Sequence, residues 1–197
     1  MKITMKITMT ALLVVVGLVV RAQGFAYGQA WIHAEKGGGT GAEEAGRGVV
    51  MDEMGNSYVV GYFSGTATFG GTTLSSLGGY DIFIARYDNN LHLRWAFRAG
   101  GVTDDFGLGI ALDPRGGVYI TGSCSDNSDF RDSILVSPDF RKALVFLVGF
   151  TTDGNVRMAR GFGSYGAGTG LAVGPSGNVY MSGYFGGGIN FDNVALS

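Results

Sequence analysis

One segment of 16 residues occurs three times in this chain, and the copies follow one another at a constant step of 61 residues, without gaps. Each copy starts with a glycine: Gly48, Gly109 and Gly170. Each reads as a short apolar strand, a tight turn and a second strand with a tyrosine near its start: Tyr58, Tyr119 and Tyr180. A fixed period built from strands favours a repetitive all-β array, in which every unit buries its apolar faces against its neighbours.

Four strands are expected in the first complete unit, at residues 48–52, 56–63, 80–88 and 92–98. The second and third of these are apolar on both faces, which predicts that both faces are buried. A four-stranded blade between two neighbouring blades of a β-propeller meets that need, whereas an open sheet does not. Residues 64–79 are expected to form a longer hairpin pinned by Phe69, and Phe130 and Phe191 recur at the same step.

The repeat therefore predicts an all-β chain of about 2.5 four-stranded propeller blades, with a period of 61–63 residues. Residues 23–197 would form this partial propeller, and the units would be an incoming final strand and linker (31–47), blade 1 (48–98), blade 2 (99–160) and an incomplete blade 3 (161–197). An incomplete ring leaves apolar flanks open, so we expect either a fragment of a longer protein or copies that associate to close a ring. The stop within a blade favours the fragment.

The N-terminus has the features of an export signal. Lys2 and Lys6 precede the apolar run 11–20, and cleavage is expected after Ala22, so that residues 1–22 are a signal peptide. Met5 repeats the context of Met1 and is a second candidate start. The run is too short to predict a membrane span, and we expect none after cleavage.

The charge balance argues against nucleic acid as a partner. Loss of residues 1–22 leaves 11 basic residues against 16 acidic ones, a net charge of −5, without a basic cluster. Cys124 is the single cysteine, so no intramolecular disulfide can form. It stands where Phe63 and Phe185 stand in the other units, which predicts a small buried apolar side chain rather than a reactive thiol.

Several motifs recur in the same order along the units. Asp52–Gly61 and Asp105–Gly122 each combine an aspartate, a glycine three residues after an aspartate, and a tyrosine in the strand that follows; Asp81–Trp95 continues the first unit. This set resembles the bacterial β-propeller repeat that is associated with seven-bladed propellers, although Gly174 replaces the family's aspartate in the third unit. The resemblance covers nearly all of the chain from Trp31 onward. It implies a secreted or cell-surface protein, often large and multidomain, with no single shared activity.

Two acidic pairs are the candidate ligand-binding residues. Glu43 and Glu44 occupy the same repeat position as Asp104 and Asp105, in the connections between units. Converging carboxylates on one face of a propeller could bind Ca²⁺ or sugar hydroxyl groups. The third unit has Tyr165 and Gly166 there, and no EF-hand spacing is present. Solvated turns, or carboxylates that accept local amide hydrogen bonds, are the alternative interpretation.

The other motifs predict no cofactor, metal or catalytic residue. Gly161–Gly166 matches the dinucleotide fingerprint by letter, but a strand rather than a helix is expected after it. His33 and His92 are isolated and are expected to be packing or surface residues. The strict period of Tyr58, Tyr119 and Tyr180 favours core packing over sugar stacking.

Two functions are compatible with these features. The first is a secreted or cell-surface β-propeller module for binding, adhesion or scaffolding, without enzymatic activity, whose partners would be a protein or carbohydrate ligand and either the remaining blades or further copies of the chain. The second is part of an extracellular propeller enzyme, a polysaccharide hydrolase or lyase, whose catalytic residues lie partly in missing blades. The absence of a catalytic constellation in the sequence favours the first.

Overall fold

The computed structural model describes residues 13–14, 35–38, 44–125, 127–131, 133–135, 143–163, 165–187, 189–191 and 194–196. Side chains are described within these ranges from residue 44 to residue 187 and at residue 189. The predicted signal peptide therefore lies outside the described residues, apart from Leu13 and Val14, and so do Trp31 and His33.

The first sheet contains six strands, and four of them form an antiparallel meander. The strands are β1 (Leu13–Val14), β2 (Glu35–Gly38), β3 (Glu44–Met51), β4 (Ser57–Phe69), β5 (Thr72–Tyr87) and β6 (Leu93–Ala99). The meander runs from β3 through β4 and β5 to β6, while β2 pairs with the far end of β4 through Gly37 and Phe69. Strand β1 pairs with β2.

The second sheet repeats the meander with four strands. Two short strands form a separate hairpin between its second and third strands. In chain order the strands are β7 (Phe106–Leu112), β8 (Val118–Cys124), β9 (Ser128–Asp129), β10 (Ile134–Leu135), β11 (Leu144–Phe150) and β12 (Val156–Phe162). The meander is β7, β8, β11 and β12, and β9 pairs with β10.

The third unit consists of two hairpins. Its strands are β13 (Gly166–Val173), β14 (Val179–Phe185), β15 (Ile189–Phe191) and β16 (Val194–Leu196). Strand β13 pairs with β14, and β15 pairs with β16. The fold is thus all-β, with two antiparallel four-stranded meanders and the beginning of a third.

The strands extend beyond the bounds that the sequence predicts. β3 begins at Glu44 instead of residue 48, because a bulge between Gly46 and Gly48 lets the pairing with β4 continue. β4 and β5 are long because the Gly/Ser/Thr-rich segment pairs across a turn at Gly70 and Gly71. Phe69 is fully buried in that hairpin, as predicted, and so is Phe130 in the second unit.

The same turn joins the first two strands of all three units. The amides of Asp52, Asp113 and Gly174 each donate to the carbonyl four residues later. Their carbonyls accept from the amide of a glycine three residues later, which has a positive φ: Gly55, Gly116 and Gly177. Only the first two turns carry a carboxylate, so Gly174 keeps the backbone geometry without the side-chain hydrogen bonds.

Two hydrophobic clusters flank the first sheet and confirm the predicted burial of β4 on both faces. Tyr58 and Val60 belong to a cluster shared with the second sheet, which includes Ile120, Phe146 and Phe150. The alternating residues of β4 and β5 belong to a cluster on the opposite face: Val59, Phe63, Phe69, Phe83 and Tyr87. The first sheet therefore has an apolar core on each side.

Glycines at matching positions allow neighbouring units to approach closely. A Cβ atom on Gly107 of β7 would lie 2.6 Å from Val60 Cγ2 and 2.8 Å from Ile82 Cγ2 of the first sheet. Gly168, 61 residues later, lies in the same way against Thr121 of the second sheet. The bulges that follow the same step also place Gly109 of β7 beside Gly170 of β13. One contact scheme thus joins the first unit to the second and the second to the third.

Within the part of the chain that the structure describes, no helix has the length and apolar character that crossing a bilayer requires.

Candidate functional site

The four acidic residues singled out from the sequence lie in different environments. Glu43 is outside the described residues, and Glu44 begins β3 with a partly buried side chain. Asp104 is exposed, and its Oδ1 accepts a hydrogen bond from the amide of Tyr80 at 3.0 Å. Asp105 is fully buried. Asp104 is therefore the described member of the set whose carboxylate is most open to a ligand.

Asp105 uses its carboxylate to hold the second unit together. Its Oδ1 accepts from the amide and hydroxyl of Ser125, at 2.6 and 3.0 Å, and from the hydroxyl of Ser128 at 2.8 Å. Its Oδ2 accepts from the amide of Gly101 at 2.7 Å. Both oxygens are thus occupied by groups of this chain, which agrees with the alternative interpretation of a locally bonded aspartate.

A buried ion pair lies beside Asp105. Asp81 Oδ2 accepts from Arg98 Nη1 at 2.8 Å and from the amide of Leu77 at 3.1 Å, while Asp81 Oδ1 is buried without a partner. Burial raises the pKa of the Asp81 carboxyl above its ordinary value, and the hydrogen bonds from Arg98 and Leu77 offset this only in part. Arg98 also donates to the carbonyl of Gly100, so the pair ties β5 to the connection between the first two units.

Asp113 is the second buried carboxylate with cationic partners. Its Oδ1 accepts from the amide of Arg115 at 2.9 Å, and its Oδ2 accepts from Arg157 Nη2 at 2.6 Å. Burial favours the protonated form of Asp113, but the amide and guanidinium of Arg115 and the guanidinium of Arg157 outweigh it and lower the pKa. These contacts join the first turn of the second sheet to β12.

Three aromatic rings surround the position of Asp104. Tyr62 packs edge-on against Tyr80 and Phe106, with ring centroids 5.4 and 4.9 Å apart. The Arg47 guanidinium lies 5.0 Å from the centroid of the Tyr62 ring. All three rings are partly exposed. A carboxylate beside partly exposed aromatic faces is an arrangement that can bind sugar rings or peptide side chains.

The third unit presents aromatic side chains to solvent. Tyr165, Tyr180 and Tyr184 are 64%, 63% and 61% exposed, and Phe185 is 40% exposed. The prediction of core packing is confirmed for Tyr58 and Tyr119 but is wrong for Tyr180. The physical reason is that no further sheet covers that face of β14 among the described residues.

A cavity of about 330 Å³ opens beside the same strand. Its lining includes Val145 of the second sheet, Gly183, Tyr184 and Phe185 of β14, and Ile189 of β15. The cavity therefore lies between the second sheet and the third unit.

The remaining candidates have structural roles. Cys124 is fully buried, as predicted, and burial raises the pKa of its thiol far above the ordinary value. His92 is exposed beside Asp88, with its Nδ1 3.5 Å from Asp88 Oδ2. Gly161–Gly166 joins β12 to β13 without a helix, as predicted, so the fingerprint lacks the helix N-terminus that would face a pyrophosphate. Among the described side chains, no group of three or more His, Cys, Asp or Glu is placed so that it could hold a metal ion.

Sequence reasoning did not find the partners of the buried acids. Ser125 and Ser128 are 20 and 23 residues from Asp105, and Arg157 is 44 residues from Asp113. One signal was available: the third unit has Gly166 at the position of Asp105. A ligand-binding acid and an acid that holds its own unit can both vary between units, so this signal alone does not separate them.

The comparisons with known proteins add no family assignment. A scan against protein-family models gives no match for this chain, and a search of curated proteins gives none either. The resemblance to the bacterial β-propeller repeat therefore stays a prediction from the residues.

Proposed function

We propose that the chain is an exported β-propeller module that binds a protein or carbohydrate ligand without enzymatic activity. The two complete meanders and the third unit would be consecutive blades. The observation that carries this proposal is the repeated contact between units, in which Gly107 approaches Val60 and Gly168 approaches Thr121. A constant contact between successive four-stranded sheets is what a propeller requires.

The distribution of the carboxylates supports a binding module. Asp81, Asp105 and Asp113 are buried and bonded to arginines, amides or serines of this chain. A general acid or base needs a carboxylate within reach of a substrate. Asp104 is exposed beside Tyr80 and Tyr62, which favours ligand binding at the loop end of the first two units.

Export can be tested in the native cells with an antibody against residues 23–197. The expected result is a signal in the culture supernatant or the cell envelope, with an N-terminus at Gln23. A cytoplasmic protein that retains residues 1–22 would contradict export. The mass of the band would also separate a longer parent protein from a chain of this length.

Ligand binding can be tested with glycan and protein arrays, together with assays for new reducing ends on polysaccharides. We expect binding that is weakened by Asp104→Asn and by Tyr80→Ala, without release of reducing ends. The control is Asp153→Asn, an exposed carboxylate in the turn that joins β11 to β12. Polysaccharide cleavage would instead support the propeller enzyme.

A further inference from the structure

The two complete sheets share a packing detail that the third unit lacks. Gly61 of β4 lies opposite Phe83 of β5, and Gly122 of β8 lies opposite Phe146 of β11. A Cβ atom would lie 2.6 Å from the Phe83 ring at Gly61, and 3.0 Å from the Phe146 ring at Gly122. Each glycine thus provides the space that a phenylalanine of the next strand occupies.

Gly183 is the corresponding glycine of β14, 61 residues after Gly122. No aromatic ring lies among the atoms nearest to it. It lines the cavity of about 330 Å³ instead, together with Val145, Phe185 and Ile189. In the second unit, Phe146 packs on Phe130 at a ring distance of 5.0 Å. The cavity therefore lies where the third unit would hold the ring of its own third strand.

The outer edge of β14 is also open. β4 pairs with β5 and β8 pairs with β11 along their whole lengths, whereas β14 pairs only with β13 among the described residues. An unpaired strand edge is a template for an added strand, and pockets for alternate side chains give such binding its specificity.

We propose that β14 is a strand-acceptor site, which binds an extended peptide segment antiparallel to it with a phenylalanine opposite Gly183. The phenylalanine fills the cavity, and aliphatic residues on either side cover Tyr184 and Phe185. The inference rests on the stacking of blades in the proposed function but not on export or on the ligand.

The occupant is a segment with the pattern of Ile82–Tyr87 or Leu144–Phe150, supplied by a partner polypeptide. A second copy of this chain is a poor donor, because both segments are buried in the middle of their own sheets. The partner is therefore a further unit of the same repeat type. β14 carries no charged residue, so its recognition depends on backbone hydrogen bonds and apolar contacts.

A synthetic peptide with the sequence of residues 79–88, GYDIFIARYD, provides the test. We expect saturable binding to the full chain in fluorescence anisotropy, and slower hydrogen exchange confined to the amides of β14. Replacement of the peptide's phenylalanine by alanine is expected to weaken binding about 10-fold or more, because the ring is lost from the cavity while the backbone pairing is kept. The peptide change leaves the protein intact, so a folding defect cannot explain the loss.

Three results would overturn the inference. One is equal binding of both peptides, and another is binding without slower exchange in β14. The third is protection of the β14 amides in the chain alone, within a dimer, since the occupant would then be a second copy. None of these results bears on export or on the ligand at Asp104, so they leave the rest of the proposed function standing.

Discussion

Asp113 keeps its charge in the protein interior because Arg115 and Arg157 and one amide surround it. We expect Asp113→Asn to lower the free energy of unfolding by about 1–3 kcal/mol at pH 7, since two cationic partners lose their anion. The folded-state pKa lies below the ordinary value of 3.8, so this stabilisation is present above pH 3.8. It is lost as the pH falls through the folded-state pKa.

Urea unfolding of both proteins at pH 7 and near pH 3 measures this difference. Asp153→Asn, at an exposed turn, is the control and is expected to be nearly neutral. A deficit for Asp113→Asn that stays constant down to low pH would contradict the assignment of charge.

Cys124 gives a second prediction for a single side chain. Its thiol is fully buried and its pKa is raised, so the reactive thiolate is scarce in the native protein. We expect no reaction with a thiol-disulfide reagent under native conditions and one equivalent in urea. Fast labelling of the native protein would show that the space around β8 opens more readily than the packing implies.

The burial of single residues shows where sequence reasoning succeeds and fails. Tyr58 and Tyr119 are in the core as the period predicts, because each has a sheet against it. Tyr180 has the same place in the repeat but is exposed, because the repeat specifies a side chain and not the neighbour that covers it. The bonds from Ser125 and Ser128 to Asp105 depend on tertiary contacts, for which the sequence contains no local pattern.

The turn between the first and second strands of each unit is an element whose sequence can be improved. Asp52 Oδ1 accepts from the amides of Met54 and Asn56, and Gly174 has the same backbone bonds without the carboxylate. Gly174 has no positive φ, and a Cβ atom there would be 3.7 Å from its nearest neighbour. Gly174→Asp is therefore expected to stabilise the β13–β14 hairpin by about 0.5–1 kcal/mol.

Hydrogen exchange of the β13–β14 amides is the appropriate measurement. Gly174→Ala is the matched control, because it restricts the unfolded chain equally without adding a carboxylate. Equal protection in the two variants would attribute the whole effect to the backbone and would contradict capping of the amides.

The contact between sheets depends on Gly107. Its missing side chain leaves room for Val60 and Ile82, so we expect Gly107→Val to lower the free energy of unfolding by about 1–3 kcal/mol through overpacking. Chemical denaturation measures the loss, with Gly174→Ala as the control at an open glycine. An unchanged midpoint would mean that the two sheets are not held as closely in solution.

At the level of the whole molecule, the exposed aromatic residues of the third unit determine solubility. We expect residues 23–197 alone to be marginally stable or to aggregate, because Tyr184 and Phe185 face water. Serine at both positions should reduce light scattering without lowering the stability of the first two sheets. A monodisperse, unchanged protein with a sharp unfolding transition at high temperature would contradict this prediction.

The all-β class and the meander of four strands could be predicted because alternation, turns and period are local properties of the chain. The lengths of β4 and β5 could not, because they depend on bulges and on the continued pairing of residues 64–79. Strand β2 was also unforeseen in its place, since it pairs with the far end of β4.

The repeated contact between units has a consequence for how such a chain can lengthen. Gly107 and Gly168 lie against the preceding unit in the same way, so each unit carries both halves of the joint. An in-frame duplication of one 61-residue unit would bring its own complementary surfaces and need no compensating change elsewhere. Stability would then grow by a similar increment for each added unit, and a chain of this kind can evolve by changing its length before it changes its residues.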